Sequence, residues 1–149
     1  MVWGAFRDGE LVGLEFISTR MTSLDYQQVL DKHLAVYLNN NPGNNFTFMH
    51  DNASIHASRS TRDWLTAHKI GTVAWPACSP DLNPIENVWG TLVRDVYKGN
   101  KQYSSVNELK KAIQVAWNRL QPTALHDLVS SMPRRLFEVG LKQGGATHY

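Results

Sequence analysis

Apolar residues repeat along this chain with two different periods, which predict strands in some segments and helices in others. Short runs rich in β-branched and aromatic residues predict strands at VWGAF and LVGLEFI, joined by a turn at Asp8-Gly9, and again at FTFMHD and TVAWP. Apolar residues three and four positions apart predict helices over residues 23–40, 56–69, 85–96 and 104–120, and a last helix after Pro122. The order β-β-α-β-α-β-α-α-α favours an α/β fold in which helices flank a mixed sheet.

Three short signals predict where helices begin, end or break. Gly71 is the expected stop of the helix over 56–69, because glycine readily adopts the left-handed conformation that often ends a helix. Ser105 and Glu108 have the spacing of a capping box at the start of the helix over 104–120. Pro133 is expected to kink or split the last helix, because it lacks a backbone N–H.

Composition changes this picture little. The chain has 149 residues, of which 42% are hydrophobic, and this suits a single domain with a buried core. The formal net charge of +2 is weak support for a nucleic-acid partner. Cys78 is the single cysteine, so no disulfide can form within the chain, and the six histidines show no zinc-ligand spacing. No apolar run approaches the ~20 residues that span a bilayer, and the first residues do not read as a signal peptide.

Two carboxylates lie at the ends of strongly apolar segments, each among small, polar and proline residues. Asp51 ends the predicted strand FTFMHD, and ligands gather at the carboxyl ends of strands in open α/β sheets. Glu86 follows the loop SPDLNP, and 34 residues separate the two acids, enough for the chain to return to the same sheet edge. Two carboxylates brought together would repel unless cations lay between them, and hard divalent ions such as Mg²⁺ fit such a site.

Each acid also has a purely structural interpretation. Asp51-Asn52 is a good Asx-turn leading into a helix. Asn83, Pro84 and Glu86 have the residue types of a helix N-cap, first and third positions, so Glu86 could serve only as a cap. Spacing alone leaves both alternatives open.

The motifs around these acids resemble a known family. HDNASIHAS resembles the segment around the second catalytic acid of Tc1/mariner-type transposases, and WPACSPDLNPIENVWG resembles the segment around the third. VWGAF resembles the strand before the first long helix of the same catalytic domain. The interval of 34 residues and a glutamate as the last acid are typical of the Tc1-like branch of this DDE superfamily. The resemblance extends from the first strand to about Leu120.

The resemblance implies a fold, an activity and partners. The fold is ribonuclease-H-like, and the activity is metal-dependent cleavage of DNA strands and strand transfer, with Mg²⁺ or Mn²⁺ held by Asp51 and Glu86. Transposon ends and target DNA are the implied partners, in the nucleus if the protein is eukaryotic, and a homodimer is allowed; no membrane or small-molecule substrate is implied. His56, Arg59 and Arg62 are the candidate DNA contacts, although His56 could instead orient Asp51 or face solvent.

One departure from the family concerns its first catalytic acid, which lies on the first, central strand of the sheet. The resemblance begins at the second strand of the family's fold, so we expect residues 1–149 to form a single partial catalytic domain that lacks the first strand, its aspartate and the helix-turn-helix region. Asp8, Glu10 and Glu15 match no motif that would replace the acid. The hairpin and the FTFMHD strand should then have no shared neighbour, and activity of this chain alone is doubtful. The alternatives are a non-catalytic, transposon-derived DNA- or protein-binding remnant and an unrelated metal-dependent phosphohydrolase.

Overall fold

The computed structural model of the protein describes residues 1–43, 45–76 and 79–148, so Cys78 lies outside the described residues. Two short strand pairs and seven α-helices make up the described part of the chain. The strands are β1 (Val2–Arg7), β2 (Glu10–Phe16), β3 (Thr47–Phe48) and β4 (Gly71–Thr72). The helices are α1 (Ser23–Leu30), α2 (Val36–Asn40), α3 (Arg59–Ala67), α4 (Pro84–Val96), α5 (Val106–Asn118), α6 (Pro122–Ser130) and α7 (Met132–Leu141).

The chain forms two compact units, each with its own hydrophobic core. One unit comprises Met1–Trp3 and Ile17–Cys78, and the other comprises Gly4–Phe16 and Ser79–Tyr149. None of the helices that the structure describes is long and apolar enough to cross a membrane.

In the first unit, one continuous helical segment carries most of the core. Helix α1 passes through a π-helical stretch, Asp31–Ala35, directly into α2, so the single long helix expected over residues 23–40 is confirmed. A capping box starts it: Thr22 accepts a hydrogen bond from the backbone of Asp25, and the Asp25 carboxylate accepts one from the backbone of Thr22. The buried side chains of this core are Tyr26, Leu30, Leu34 and Leu65.

Helix α3 ends before the expected stop at Gly71. Lys69 adopts a left-handed φ of 56°, and the amides of Lys69 and Ile70 donate to the carbonyls of Thr66 and Leu65, which is a Schellman motif. Leu65 and Ile70 both pack in the core of the first unit, and this contact fixes the end of the helix. The prediction of Gly71 as the stop was therefore wrong, and Gly71 begins β4 instead.

Strands β3 and β4 are shorter than the apolar runs FTFMHD and TVAWP suggested. Strands β3 and β4 pair in parallel over Thr47↔Gly71 and Phe48↔Thr72. Beyond this ladder, the Asn52 side chain donates a 2.7 Å hydrogen bond to the carbonyl of Trp75, so a side chain joins the two segments where the strands have ended.

The N-terminal strands form the expected hairpin. At its open end, Met1 and Ile17 exchange backbone hydrogen bonds of 3.1 and 3.2 Å, and at its turn Gly9 adopts a left-handed φ of 84°. The carboxylate of Asp8, at the same turn, lies 2.5 Å from Nδ1 of His126 on α6. Within the described residues, the hairpin and the β3–β4 pair are separate two-stranded sheets that share no neighbouring strand.

In the second unit, amphipathic helices pack against the hairpin. The apolar stripes predicted on α4 and α5 supply its buried residues: Val88, Leu92, Val96, Ala116 and Trp117, with Leu125 from α6. Two residues predicted on these stripes, Val93 and Val106, are instead exposed, at 57% and 69%. Ser105 caps α5 as predicted, but the Glu108 carboxylate accepts its hydrogen bond from the backbone N–H of Ser104 and not from that of Ser105. The last helical segment is split as expected, between α6 and α7 at Ser131.

Candidate functional site

Asp51 lies three residues beyond β3, in a turn that fixes one of its carboxylate oxygens. Oδ1 accepts a hydrogen bond of 3.0 Å from the Ala53 amide and one of 2.6 Å from Nδ1 of His56. Oδ2 accepts no hydrogen bond from any residue that the structure describes, and the side chain is 56% exposed. The Asx-turn interpretation is therefore correct, and it leaves one oriented oxygen open to a ligand.

The surroundings of Asp51 favour its ionised form. Partial burial raises the pKa of Asp51, but hydrogen bonds from Ala53 and His56 and the charges of His56 and His50 outweigh it. The net result is a pKa below the ordinary value of 3.8, so Asp51 is a carboxylate at neutral pH, as a metal ligand must be.

His56 packs against two neighbouring rings. Its imidazole centroid lies 4.2 Å from the Tyr26 ring and 5.3 Å from the His50 ring, and only 18% of its side chain is exposed. Its Nδ1 is directed at Asp51. Of the roles considered for His56, orienting Asp51 is the one that these contacts support.

Tyr26 and His50 are members of this cluster that the sequence motifs did not indicate. The hydroxyl of Tyr26 lies 3.1 Å from Nδ1 of His50. Burial and the positive charge of His56 lower the pKa of His50 to about 4, although Asp51 opposes the shift. Burial also raises the pKa of Tyr26, so the phenol stays protonated and its hydroxyl donates the hydrogen bond to Nδ1 of the neutral His50 imidazole. The one sequence signal for Tyr26 was its spacing of four from Leu30 and eight from Leu34 on the apolar face of the helix.

Arg59 and Arg62 lie on the exposed surface of α3, whose first residue follows His56 by three positions. Arg59 lies 3.7 Å from the carboxylate of Asp63, and both side chains are well exposed, at 93% and 73%. An ion pair this exposed is weak and leaves the arginine available to other anions. Contact of either arginine with DNA stays a prediction.

Glu86 lies in the first turn of α4, but it does not cap that helix. The Asn83 side chain accepts a hydrogen bond from the Ile85 amide, and the backbone N–H of Asn83 donates to the carbonyl of Pro80. A capping box would require that N–H to donate to Glu86. The Glu86 carboxylate is exposed and makes no hydrogen bond or ion pair within the described residues, so the capping interpretation is not supported.

The two candidate ligands are chemically suited to hard cations, because Mg²⁺ and Mn²⁺ prefer carboxylate oxygens. Each acid is exposed and each keeps at least one oxygen without a partner among the described residues. Over residues 1–43, 45–76 and 79–148, no group of three or more His, Cys, Asp or Glu side chains is arranged to hold a metal ion.

Comparison with known proteins shows the family of the chain. Residues 1–110 match the model of the DDE superfamily endonucleases, and this match includes both Asp51 and Glu86. The chain belongs to the DDE superfamily of endonucleases. This confirms the superfamily that the sequence motifs suggested.

Curated relatives of this DDE endonuclease chain are transposases. The chain is 48% identical over 149 residues to the Tc3 transposase of Caenorhabditis elegans and covers 45% of that protein. It is 32% identical to the Tc1 transposase of the same organism and covers 54% of it. The chain thus spans about half the length of the curated relatives that it matches, and the Tc1-like resemblance is confirmed.

Solved structures confirm the ribonuclease-H-like fold. The catalytic domain of the Mos1 transposase, in a structure with raltegravir and Mn, superposes with a TM-score of 0.88 at 18% identity, covering 99% of this chain and 76% of that one. A second structure of the Mos1 domain was determined with Mg. The Mos1 paired-end complex with the left transposon end matches with a TM-score of 0.86 over 97% of this DDE endonuclease chain and 44% of the Mos1 chain.

Proposed function

We propose that this chain is the catalytic part of a Tc1-like transposase that cleaves and joins DNA strands with Mg²⁺ or Mn²⁺. The observation that carries the proposal is the family match, which spans both Asp51 and Glu86. The identity of 48% with the Tc3 transposase over 149 residues supports the same assignment. Activity on chromosomal DNA would place the protein in the nucleus of a eukaryotic cell, and assembly as a homodimer stays a prediction.

In this proposal Asp51 and Glu86 bind the metal ions through their free carboxylate oxygens. His56 and the Ala53 amide both donate to Oδ1 of Asp51, so Oδ2 keeps no partner among the described residues and can bind a metal ion. The rings of Tyr26 and His50 restrain His56 and therefore the carboxylate. Two bound divalent ions would activate the attacking water or hydroxyl and would stabilise the leaving oxygen of a phosphodiester.

Metal binding by isosteric variants tests these two ligands. Asp51→Asn and Glu86→Gln keep the size of each side chain but remove its charge, and each should weaken Mn²⁺ binding at least tenfold in titration calorimetry. Asp63→Asn and Asp95→Asn are matched controls, because they remove exposed carboxylates from α3 and α4. Mn²⁺ binding that is the same in the wild type and both ligand variants would contradict the proposal. Absence of any Mn²⁺ binding would favour the non-catalytic remnant.

We further propose that Arg59 and Arg62 contact the DNA backbone near Asp51. Each phosphate contact adds about −0.9 to the slope of log K against log salt concentration. The double variant Arg59→Gln/Arg62→Gln should therefore reduce the magnitude of that slope by about 1.8, measured by fluorescence anisotropy with duplex DNA. Arg20→Gln removes an exposed arginine from a loop of the same unit and should leave the slope unchanged. An equal slope in the double variant and the wild type would exclude these two contacts.

A further inference from the structure

Helix α7 buries an arginine in the core of the second unit. Arg135 is 1% exposed, which is rare for a charged side chain. Its Nε donates to the hydroxyl of Ser131, one helical turn earlier, at 2.9 Å. Its Nη1 donates to the backbone carbonyl of Asp81 and to the side-chain oxygen of Asn87, each at 2.9 Å.

The two residues that accept from Nη1 lie before and after Glu86 in the sequence. Asp81 belongs to the 3₁₀ turn Pro80–Leu82, and Asn87 lies in the first turn of α4. One planar guanidinium therefore ties the turn before Glu86 to the helix that carries it. Because the two N–H groups of Nη1 and the Nε–H bonded to Ser131 are held in one plane, the guanidinium fixes the direction of both segments relative to α7.

Other members of the loop reinforce the same arrangement. Leu82 and Asn83 are buried, at 4% and 9% exposure. The Asp81 carboxylate accepts a 2.7 Å hydrogen bond from the Thr147 amide, and this hydrogen bond is the main cause of the lowered pKa of Asp81. Asp81, Leu82, Asn83 and Asn87 thus each hold the loop in place, whereas the Glu86 carboxylate makes no hydrogen bond or ion pair with the described residues.

We propose that Arg135 is a positioning residue that fixes the backbone from which the Glu86 side chain projects, and so places Glu86 for binding metal. The proposal rests on the proposed function, in which Glu86 is a metal ligand. Metal affinity depends on such outer contacts, because a ligand that must be ordered on binding loses part of the binding free energy. Arg135 lies beyond residue 110, where the family match ends, so the site would depend on a helix that the match does not include.

Hydrogen exchange and Mn²⁺ titration together test the proposal. Arg135→Lys keeps the charge but loses the fork, and Asn87→Leu keeps the size of the side chain but removes the acceptor. In both variants we expect at least tenfold faster exchange at the amides of Asn83 and Glu86. The amides of Tyr97 and Lys98, at the other end of α4, should exchange at the wild-type rate. Arg134→Lys, which changes the exposed neighbour on α7, is the matched control.

Mn²⁺ affinity shows whether Arg135 positions Glu86 for metal binding or only stabilises the fold. Arg135→Lys and Asn87→Leu should bind Mn²⁺ 10–100-fold more weakly under conditions where circular dichroism shows them to be folded. If Arg135→Lys fails to fold, Asn87→Leu gives the same test at a half-buried position.

Two results would overturn the proposal. One is wild-type exchange at Asn83 and Glu86 in both folded variants. The other is faster exchange but unchanged Mn²⁺ affinity in Arg135→Lys and Asn87→Leu, provided that Glu86→Gln does weaken Mn²⁺ binding. Arg135 would then be a structural residue only. If Glu86→Gln itself leaves Mn²⁺ binding intact, the metal role of Glu86 fails, and with it the role of Arg135 in metal binding. Exchange at Asn83 and Glu86 would then still show whether Arg135 orders the loop.

Discussion

Replacing Gly4 by alanine should destabilise the protein, because β1 passes directly over two tryptophans. A Cβ at residue 4 would lie 2.6 Å from Cη2 of Trp89 and 3.0 Å from Cη2 of Trp117. Contacts this short require the indole rings to move. Trp117 is 2% exposed, so its ring has no free space to enter, and the partly buried Trp89 ring is confined on the side where the two rings stack, with centroids 5.9 Å apart.

The expected cost follows from the price of overpacking a core. Adding a methyl group to a filled site costs about 1–3 kcal/mol in the free energy of unfolding. For a protein of this size that cost lowers the melting temperature by roughly 3–10 °C. Trp89→Phe removes the atom nearest to the new methyl group, so Gly4→Ala should cost about 1 kcal/mol less in a Trp89→Phe background.

Urea denaturation followed by far-ultraviolet circular dichroism measures the four free energies of this double-mutant cycle. Gly140→Ala is the control, because a Cβ there meets no atom within 4 Å and alanine favours the helix α7. The control should be neutral or gain up to about 1 kcal/mol. Two results would refute this packing argument: a Gly4→Ala protein within about 0.5 kcal/mol of the wild type, or equal costs in both backgrounds.

Three further outcomes are expected. The pKa of His50 is about 4 in the folded protein against an ordinary value of 6.5, so the unfolded state takes up the proton first as pH falls. The free energy of unfolding, measured by urea denaturation in EDTA, should therefore decrease between about pH 6.5 and 4. The decrease should be smaller in His50→Gln. Lys69→Gly should stabilise the protein by about 0.5–1 kcal/mol in thermal melts, because glycine relieves the left-handed φ, whereas Lys69→Ala should bring no gain. Thr22→Ala should cost about 1 kcal/mol by removing the acceptor of the Asp25 amide, and Thr19→Ala, in an exposed turn, should cost little by the same assay.

The amphipathic helices were the most predictable part of the fold. Val88, Leu92 and Val96 were expected on one apolar stripe of α4, and they are buried together, because a helical period repeated over 13 residues leaves little ambiguity. The short strands β3 and β4 were less predictable. An apolar run such as TVAWP indicates burial but cannot show where backbone pairing stops. Thr72 is the last residue paired in register, and the Val73 amide makes one further hydrogen bond, to the Phe48 carbonyl.

Helix ends and the wider site depended on contacts that local sequence does not reveal. Gly71 was the better residue by propensity, yet packing of Ile70 against the core placed the left-handed residue at Lys69. Asp51 and Glu86 were identified from their motifs, and their roles as ligands stay predictions. Arg135 could not have been found in this way, because its side-chain partner Asn87 is 48 residues away and an arginine in an amphipathic helix usually faces solvent.

The π-helical stretch Asp31–Ala35 has a consequence for how this chain tolerates changes in length. A π turn holds one residue more than an α turn, and single-turn π bulges of this kind interrupt otherwise regular helices. Deleting one residue there could be absorbed by reversion to an ordinary α-helix, with Tyr26 before it and Leu38 after it still facing the interior. The same deletion within α4 would rotate everything beyond it by about 100° and turn its apolar side toward water.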